Sequence, residues 1–305
     1  MRRKPSRPNP VRITAPAKVN LFFSIVGRRA DGYHDVRTIL QAIGLRDRLE
    51  LWPARSGITL ECSDPRVPCD ESNLCVKAAN MMQRLTHREV GVHIRLHKSI
   101  PAEAGLGGGS SDAASTLLAL NRLWRLNLPP KRLASIAARL GSDVPFFLYG
   151  GTAFAAGRGE RVLPMPTRRK RLWFVLLKPD YGVSTAWAYR EWDRVRARPG
   201  GALEKAIDVV CLRDVDSLAQ ALHNDLEKVI LASHPDIAGA KRDLVRAGCL
   251  AALLCGSGSA VFGIAEDERS ARRAAAALRK SYAWVRVAPT AGSTDPPAGG
   301  PVSRS

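Results

Sequence analysis

Three short stretches of this chain carry residue types that could do chemistry together. The first runs Ile100-Pro101-Ala102-Glu103-Ala104-Gly105-Leu106-Gly107-Gly108-Gly109-Ser110-Ser111-Asp112, between a strand-like and a helix-like segment. Its glycines clear side chains away so that backbone N–H groups can approach an anion. A helix opening at Ser110 would aim the positive end of its dipole at the same point. That is a phosphate cradle. No lysine follows the glycines as in a Walker A loop, so the balancing cation must come from elsewhere. In the second stretch, Ala15 to Leu21, Lys18 and Asn20 share one face of an expected strand because side chains alternate with period two. The third, Leu140 to Phe147, sets Asp143 just past a helix end among apolar neighbours. Read singly, Lys18 is a sheet-edge lysine and Asp143 a capping or turn residue.

These stretches need elements to hold them. Strands are expected at Val11–Ile13, Ala17–Val26, Val36–Leu45, Asp47–Trp52 and Ile58–Cys62, where β-branched and aromatic residues cluster between turn signals. A helix from Asn73 puts Val76, Ala79, Met82 and Leu85 on one face, and Val90–Leu96 alternates as a strand. The helix from Ser110 and a second from Pro130 to Leu140 follow, the latter ending at a glycine, Gly141. Strands at Gly151–Ala156 and Leu172–Lys178 precede a helix-rich region with candidates at Thr185–Val195, Gly201–Val209, Asp216–Leu222, Glu227–Leu231 and Asp236–Ala247. The chain closes with Ala251–Leu254, the turn Gly256-Ser257-Gly258, strand Ser259–Ala265, helix Glu266–Lys280 and strand Trp284–Val287.

The chain has 305 residues, and at roughly 150 per domain it has room for about two domains, each with its own core. Gly157 and Gly159, then Pro164, Pro166 and the basic run, mark a boundary near 160 to 172, giving units of 11–165 and 166–290. Residues 1–10 read as a disordered basic leader and 291–305 as a disordered tail. A net charge of +19 invites polyanions, whether nucleotides, nucleic acid or acidic membranes, though solubility alone also explains such a surface. Six cysteines form no C-x-x-C pair, which argues against zinc and for reduced thiols in a cytoplasmic protein. No apolar run reaches 18 residues, so no membrane span is expected.

Four motifs in order carry a resemblance. The strand A-P-A-K-V-N-L with R-R-A-D-G-Y-H after it, the loop I-P-A-E-A-G-L-G-G-G-S-S-D-A-A, the turn L-G-S-D-V-P-F-F and the late L-C-G-S-G-S-A-V-F resemble the GHMP superfamily of small-molecule kinases over roughly residues 12–265. Within it, D-G-Y-H, the triple glycine and G-S-D-V-P look like the members that phosphorylate a cytidyl-linked methylerythritol in the non-mevalonate isoprenoid route. The resemblance implies an α+β, two-domain fold: a ribosomal S5 domain 2-like N-terminal domain, a ferredoxin-like C-terminal domain, and the active site between them.

It also implies roles. Asp143 would take or orient the proton of the acceptor hydroxyl, and Lys18 would offset the developing charge. Asn20, Tyr33, His34, Thr185 and Tyr189 would hold the acceptor, with Tyr33 and Tyr189 stacking and His34 reaching the cytosine edge. Pro101 through Ser111 would bind ATP, with Gly105 through Ser111 wrapping its phosphates, Asn73, Lys98 and Asp112 would line the adenine side, and Mg2+ would bridge phosphates with its protein ligands unassigned. Glu103, Ala104 and Cys255 depart from the family pattern, and Glu103 brings a negative charge near phosphates unless it turns away or meets Mg2+. Gly256 to Ser259 would form a wall of the cleft. The partners are then ATP and a small-molecule acceptor, with no membrane, and a monomer or homodimer. Two alternatives stay open: another GHMP kinase acting on a mevalonate-like, homoserine or sugar alcohol, and a basic RNA-associated protein. The latter lacks an aromatic ladder, with aromatics at 6%.

Overall fold

The computed structural model of the chain describes residues 9–86, 89–166, 171–212 and 214–292. The expected leader up to residue 8, most of the basic run at 168–171, and the tail from 293 lie outside the described residues. The first half runs β1 (Val11–Arg28), β2 (His34–Ala54), β3 (Ile58–Cys62), α1 (Leu74–Gln83), β4 (Gly91–His97), α2 (Gly108–Leu123), α3 (Pro130–Leu140), α4 (Phe146–Tyr149), β5 (Thr152–Gly157) and β6 (Arg161–Pro164). The second runs β7 (Trp173–Lys178), α5 (Thr185–Arg194), α6 (Leu203–Leu212), α7 (Val215–Ala221), β8 (His223–Asn224), α8 (Glu227–Ser233), α9 (Pro235–Arg246), β9 (Ala251–Leu254), β10 (Val261–Ala265), α10 (Glu268–Leu278) and β11 (Trp284–Pro289).

Two long strands stand where four shorter ones were expected. β1 and β2 pair antiparallel along their lengths, with register shifts at Pro16/Ala17, Asn20/Phe22 and Ile25/Gly27. A bulge at Pro16 lets the strand pass a residue that has no N–H to donate. β2 continues because it changes partner: Val36–Gln41 pair with β5 and Arg48–Ala54 with β4. Between them Gly44 lies so close to Pro289 that a Cβ would come within 2.9 Å of its ring.

The first sheet has the order β3-β4-β2-β1-β8, with β5 on β2 and β6 on β5. The second is antiparallel in the order β11-β7-β10-β9. Taking these four by chain position gives 4-1-3-2, with helices after the first and third strands, which is the ferredoxin-like arrangement. Apolar faces of α1, α2 and α3 cover one side of the first sheet, around Leu117, Leu120, Met82 and Ile136. A second cluster lies between the sheets, where Val19, Leu21, Phe22 and Ile39 meet Phe174, Leu176 and Phe262. The outer face of the second sheet is closed by α8, α9 and α10 through Ile230, Leu244 and Ala274.

The two halves are not separate along the chain. β8 comes from beyond the expected boundary, yet pairs parallel with β1 at Phe22 and Phe23. Asp225, fully buried, accepts from Ser24 Oγ (2.9 Å), Ile25 N (2.9 Å), Gly200 N (2.9 Å) and His223 Nε2 (2.8 Å). The expected tail is also corrected at its start: Ala291 is buried and donates its N–H to Ala42 O at 2.8 Å. Gly141 ends α3 with φ 172°, extended backbone rather than the left-handed stop a terminal glycine suggests.

Candidate active site

The loop from Ile100 to Gly107 joins β4 to α2. Glu103, Gly105 and Gly107 take left-handed φ values of 50°, 73° and 73°. Gly107 caps α2, which starts at Gly108, two residues ahead of Ser110, and has no side-chain cap. An uncapped first turn leaves N–H groups for an anion. The glycines serve packing too. A Cβ on Gly105 would lie 1.7 Å from the Cys255 carbonyl oxygen, and one on Gly107 2.8 Å from the Phe147 ring and 3.1 Å from Lys18 Cγ. Ser259 and Ala260 donate their N–H groups to the carbonyls of Glu103 (3.3 Å) and Ala104 (3.2 Å), stitching the loop to the turn before β10. Cys255 is buried beneath it, its thiol pushed up to about 12 by burial, so this departure from the family pattern adds no reactive group.

Lys18 lies on β1 between two bulges, beside this loop, and its N–H donates to Leu106 O at 3.0 Å. Ala17, Val19 and Leu21 face the inter-sheet core, leaving Lys18 and Asn20 on the cleft side. Lys18 Nζ donates to Asn20 Oδ1 at 2.7 Å and lies 3.6 Å from Asp143 Oδ2. The Asn20 amide is oriented in turn: Nδ2 donates to Thr38 Oγ1 at 2.8 Å, and Thr38 donates to Phe22 O at 2.7 Å. Asp143 follows α3 in a turn anchored by α4, whose Phe147 packs under the glycine loop. The four residues of α4 are too few to show periodicity in the sequence.

These groups line one cleft of about 1360 Å³ that draws on both halves of the chain. The same cleft is lined by Tyr33, His34, Thr185 and Tyr189. His34 stacks on Tyr189 (centroids 4.7 Å apart, 21° between planes), and its Nε2 lies 2.8 Å from Asp193 Oδ1. Burial, then the neighbouring Asp143 carboxylate, pushes the Tyr189 phenol up, so it stays neutral and can only donate or accept as a phenol. Thr185 Oγ1 is 2.7 Å from Ser257 Oγ, in the late glycine turn, which lines the cleft.

Other sequence-derived candidates take different places. Ser111 is fully buried and absent from the cleft wall, and its N–H is engaged by Gly107 O at 2.9 Å, because helical rotation turns it into the core. Asn73 lines the cleft, but its polar atoms serve the chain: Oδ1 caps Cys75 N at 2.8 Å and Nδ2 donates to Pro68 O at 2.7 Å. Lys98 is a buried cation beneath Gly108, paired with Asp112 Oδ2 at 2.7 Å and with Asp47. Burial opposes its charge, but the two carboxylates outweigh burial and raise its pKa. Asp112 is pushed up to about 8 by burial, with Lys98 pulling down and Asp47 pushing up. Asp47, Thr38, Asp193 and Arg158 had no motif to expose them. Each acts through a residue distant in sequence.

Comparison with known proteins decides among the kinases. Residues 73–151 match the GHMP kinases N terminal domain and residues 203–283 the GHMP kinases C terminal domain. A 4-diphosphocytidyl-2-C-methyl-D-erythritol kinase of Moorella thermoacetica is 45% identical over 281 residues, covering 88% of this chain and 96% of the relative. The chain belongs to the 4-diphosphocytidyl-2-C-methyl-D-erythritol kinase family. The same family name is carried by a relative from Gloeobacter violaceus, 42% identical over 88% of this chain and 90% of its own. A crystal structure of 4-(cytidine 5'-diphospho)-2C-methyl-D-erythritol kinase superposes with a TM-score of 0.79 at 35% identity, over 92% of this chain and all of that one. A homoserine kinase from Cytophaga hutchinsonii shares the fold at TM-score 0.71 and 18% identity, over 96% of this chain and 97% of its own. Membership in this family makes the chain an ATP-dependent isoprenoid-pathway kinase of the α+β, two-domain type. Among the described residues, no helix is long and apolar enough to cross a membrane.

Proposed function

We propose that this kinase moves the γ-phosphoryl group of ATP to the 2-hydroxyl of 4-diphosphocytidyl-2-C-methyl-D-erythritol, with Asp143 and Lys18 at the transfer point. The observation that carries the assignment is the 3.6 Å approach of Lys18 Nζ to Asp143 Oδ2 beside the glycine loop. Phosphoryl transfer asks a protein mainly for alignment and charge stabilisation. Asp143 accepts the proton of the alcohol as its oxygen attacks phosphorus and the bond to the β-phosphate oxygen breaks. Lys18, held by Asn20, stabilises the charge that gathers on the transferred group. The uncapped N–H groups of α2 and the loop bind the ATP phosphates.

ATP enters as its Mg2+ complex in this reading. Mg2+ takes oxygen ligands, keeps several waters, and needs only one or two carboxylates beside the phosphates. The described residues hold no cluster of three or more metal-ligating side chains, while Glu103 and Asp143 both line the cleft, which suits an ion delivered by the nucleotide. The acceptor lies with its base near Tyr33, His34 and Tyr189. The boundary between a nucleotide- and acceptor-binding unit of 11–165 and a second unit of 166–290 fits the gap between β6 and β7, with β8 the exception.

The test is ADP release with the cytidyl acceptor set against mevalonate, homoserine and sugar alcohols. Turnover should need the cytidyl compound, be inhibited by cytidine nucleotides competing with it, and stop on chelation of Mg2+. Equal turnover of a bare polyol would remove the acceptor assignment.

A further inference from the structure

One turn, Gly157 to Glu160, approaches both Tyr33 and Asp143 and has no task in the reaction so far described. Arg158 lays its guanidinium over Tyr33, with Cζ 4.9 Å from the ring centroid. The next residue, Gly159, sits beside the transfer carboxylate: a Cβ there would stand 3.8 Å from Asp143 Oδ1 and 3.6 Å from Ser142 Cβ. Adjacent Cα atoms are about 3.8 Å apart, so the Arg158 side chain runs to the Tyr33 ring from backbone that adjoins the transfer carboxylate. Both residues line the cleft.

The guanidinium is incompletely neutralised. Its ion-pair partner Glu160 is 4.0 Å away, accepts the Arg158 backbone N–H at 2.7 Å, and also faces Arg161 at 4.0 Å. Two acidic groups of this region have closer cations: Asp31 pairs with Arg29 at 3.2 Å, with Arg158 a lesser influence, and Asp193 pairs with Arg28 at 3.6 Å. Arg190 is a further cation of the cleft lining.

We propose that Arg158 anchors the diphosphate that joins cytidine to methylerythritol, and thereby selects a nucleoside diphosphate ester over a bare polyol. The inference rests on the cytidyl compound being the acceptor. With the base at Tyr33 and the alcohol at Asp143, the group that must cross the interval is the pair of phosphoryl groups. A guanidinium fork matches phosphate oxygens, and the ring beneath Arg158 holds the fork in place. A polyol without phosphates leaves that cation with only the Glu160 carboxylate at 4.0 Å.

The experiment is calorimetric titration of cytidine, CMP and CDP into the full chain, with ADP saturating the glycine loop. Wild type should gain on the order of ten- to a hundredfold in affinity from cytidine to CDP. Arg158→Gln should lose most of that gain and Arg158→Lys recover part of it. In steady state the loss should fall on KM for the cytidyl acceptor, while KM for ATP, which also reports an intact fold, stays at its wild-type value. A wild-type gain retained in Arg158→Gln overturns the proposal. Failure of wild type itself to bind any of the three ligands or turn over the cytidyl acceptor removes the acceptor assignment and Arg158's role with it.

Discussion

Lys18 Nζ and Asp143 Oδ2 stand 3.6 Å apart, but the lysine side chain is 5% exposed and the aspartate 38%. The cation is fixed by Asn20 while the carboxylate faces the space an acceptor would fill. Asp143→Asn should therefore lower kcat on the order of a hundred- to ten-thousandfold, the usual worth of a positioned base. Lys18→Met should cost about a hundredfold or more by removing preorganised charge. Both variants should bind ADP as wild type does; steady-state rates with titrated nucleotide check this, and a near wild-type kcat in either would sink the assignment.

Gly105 combines a left-handed φ of 73° with a Cβ position 1.7 Å from the Cys255 carbonyl oxygen. Gly105→Ala meets backbone, which cannot swing aside. Strain and overpacking together should cost about 3 kcal/mol or more, read as a lower urea midpoint, along with weakened ATP binding as the loop is pushed off its seat.

Asp112 supplies a pH test. Its pKa is pushed up to about 8, well above the ordinary carboxylate range, chiefly because it is buried. A carboxyl raised in this way stabilises the fold fully below its unfolded value, and the contribution falls away as pH rises towards 8. Asp112→Asn abolishes that slope. Urea midpoints measured from pH 5 to 8 should show the variant gaining steadily on wild type; a constant difference would refute the protonation coupling.

Asp225 has the opposite sign. Burial raises its pKa, but hydrogen bonds from His223, Ile25 N–H and Ser24 outweigh burial and lower it. Its stabilisation is present above the unfolded value and is lost as pH falls through the lowered folded pKa. Asp225→Ala leaves several buried donors without their acceptor and should cost about 3 kcal/mol or more at neutral pH. The deficit relative to wild type should shrink in strong acid.

Local features were legible. The glycine loop announced itself by composition, whereas Lys18 and Asp143 read singly as an edge lysine and a turn residue and stood out only through the family resemblance of the motifs around them; most helices and strands followed from periodicity. What escaped depends on chain segments meeting across long separations. Asp47 reads as a strand residue until β2 brings it under Lys98. Arg158 reads as part of a glycine-marked boundary until β5 turns back beside Tyr33. β8 has two residues and no pattern at all, and becomes a strand only because β1 offers it an edge. The bulge at Pro16 joins the expected strands Val11–Ile13 and Ala17–Val26 into one.

That short borrowed strand constrains how such enzymes can be recombined. A chimera spliced between β6 and β7 would hand the first sheet a foreign edge, and a foreign acceptor for the donors of Ser24 and Ile25. Exchanging units between relatives would keep its native seam only if positions 223–225 travelled with the amino-terminal piece.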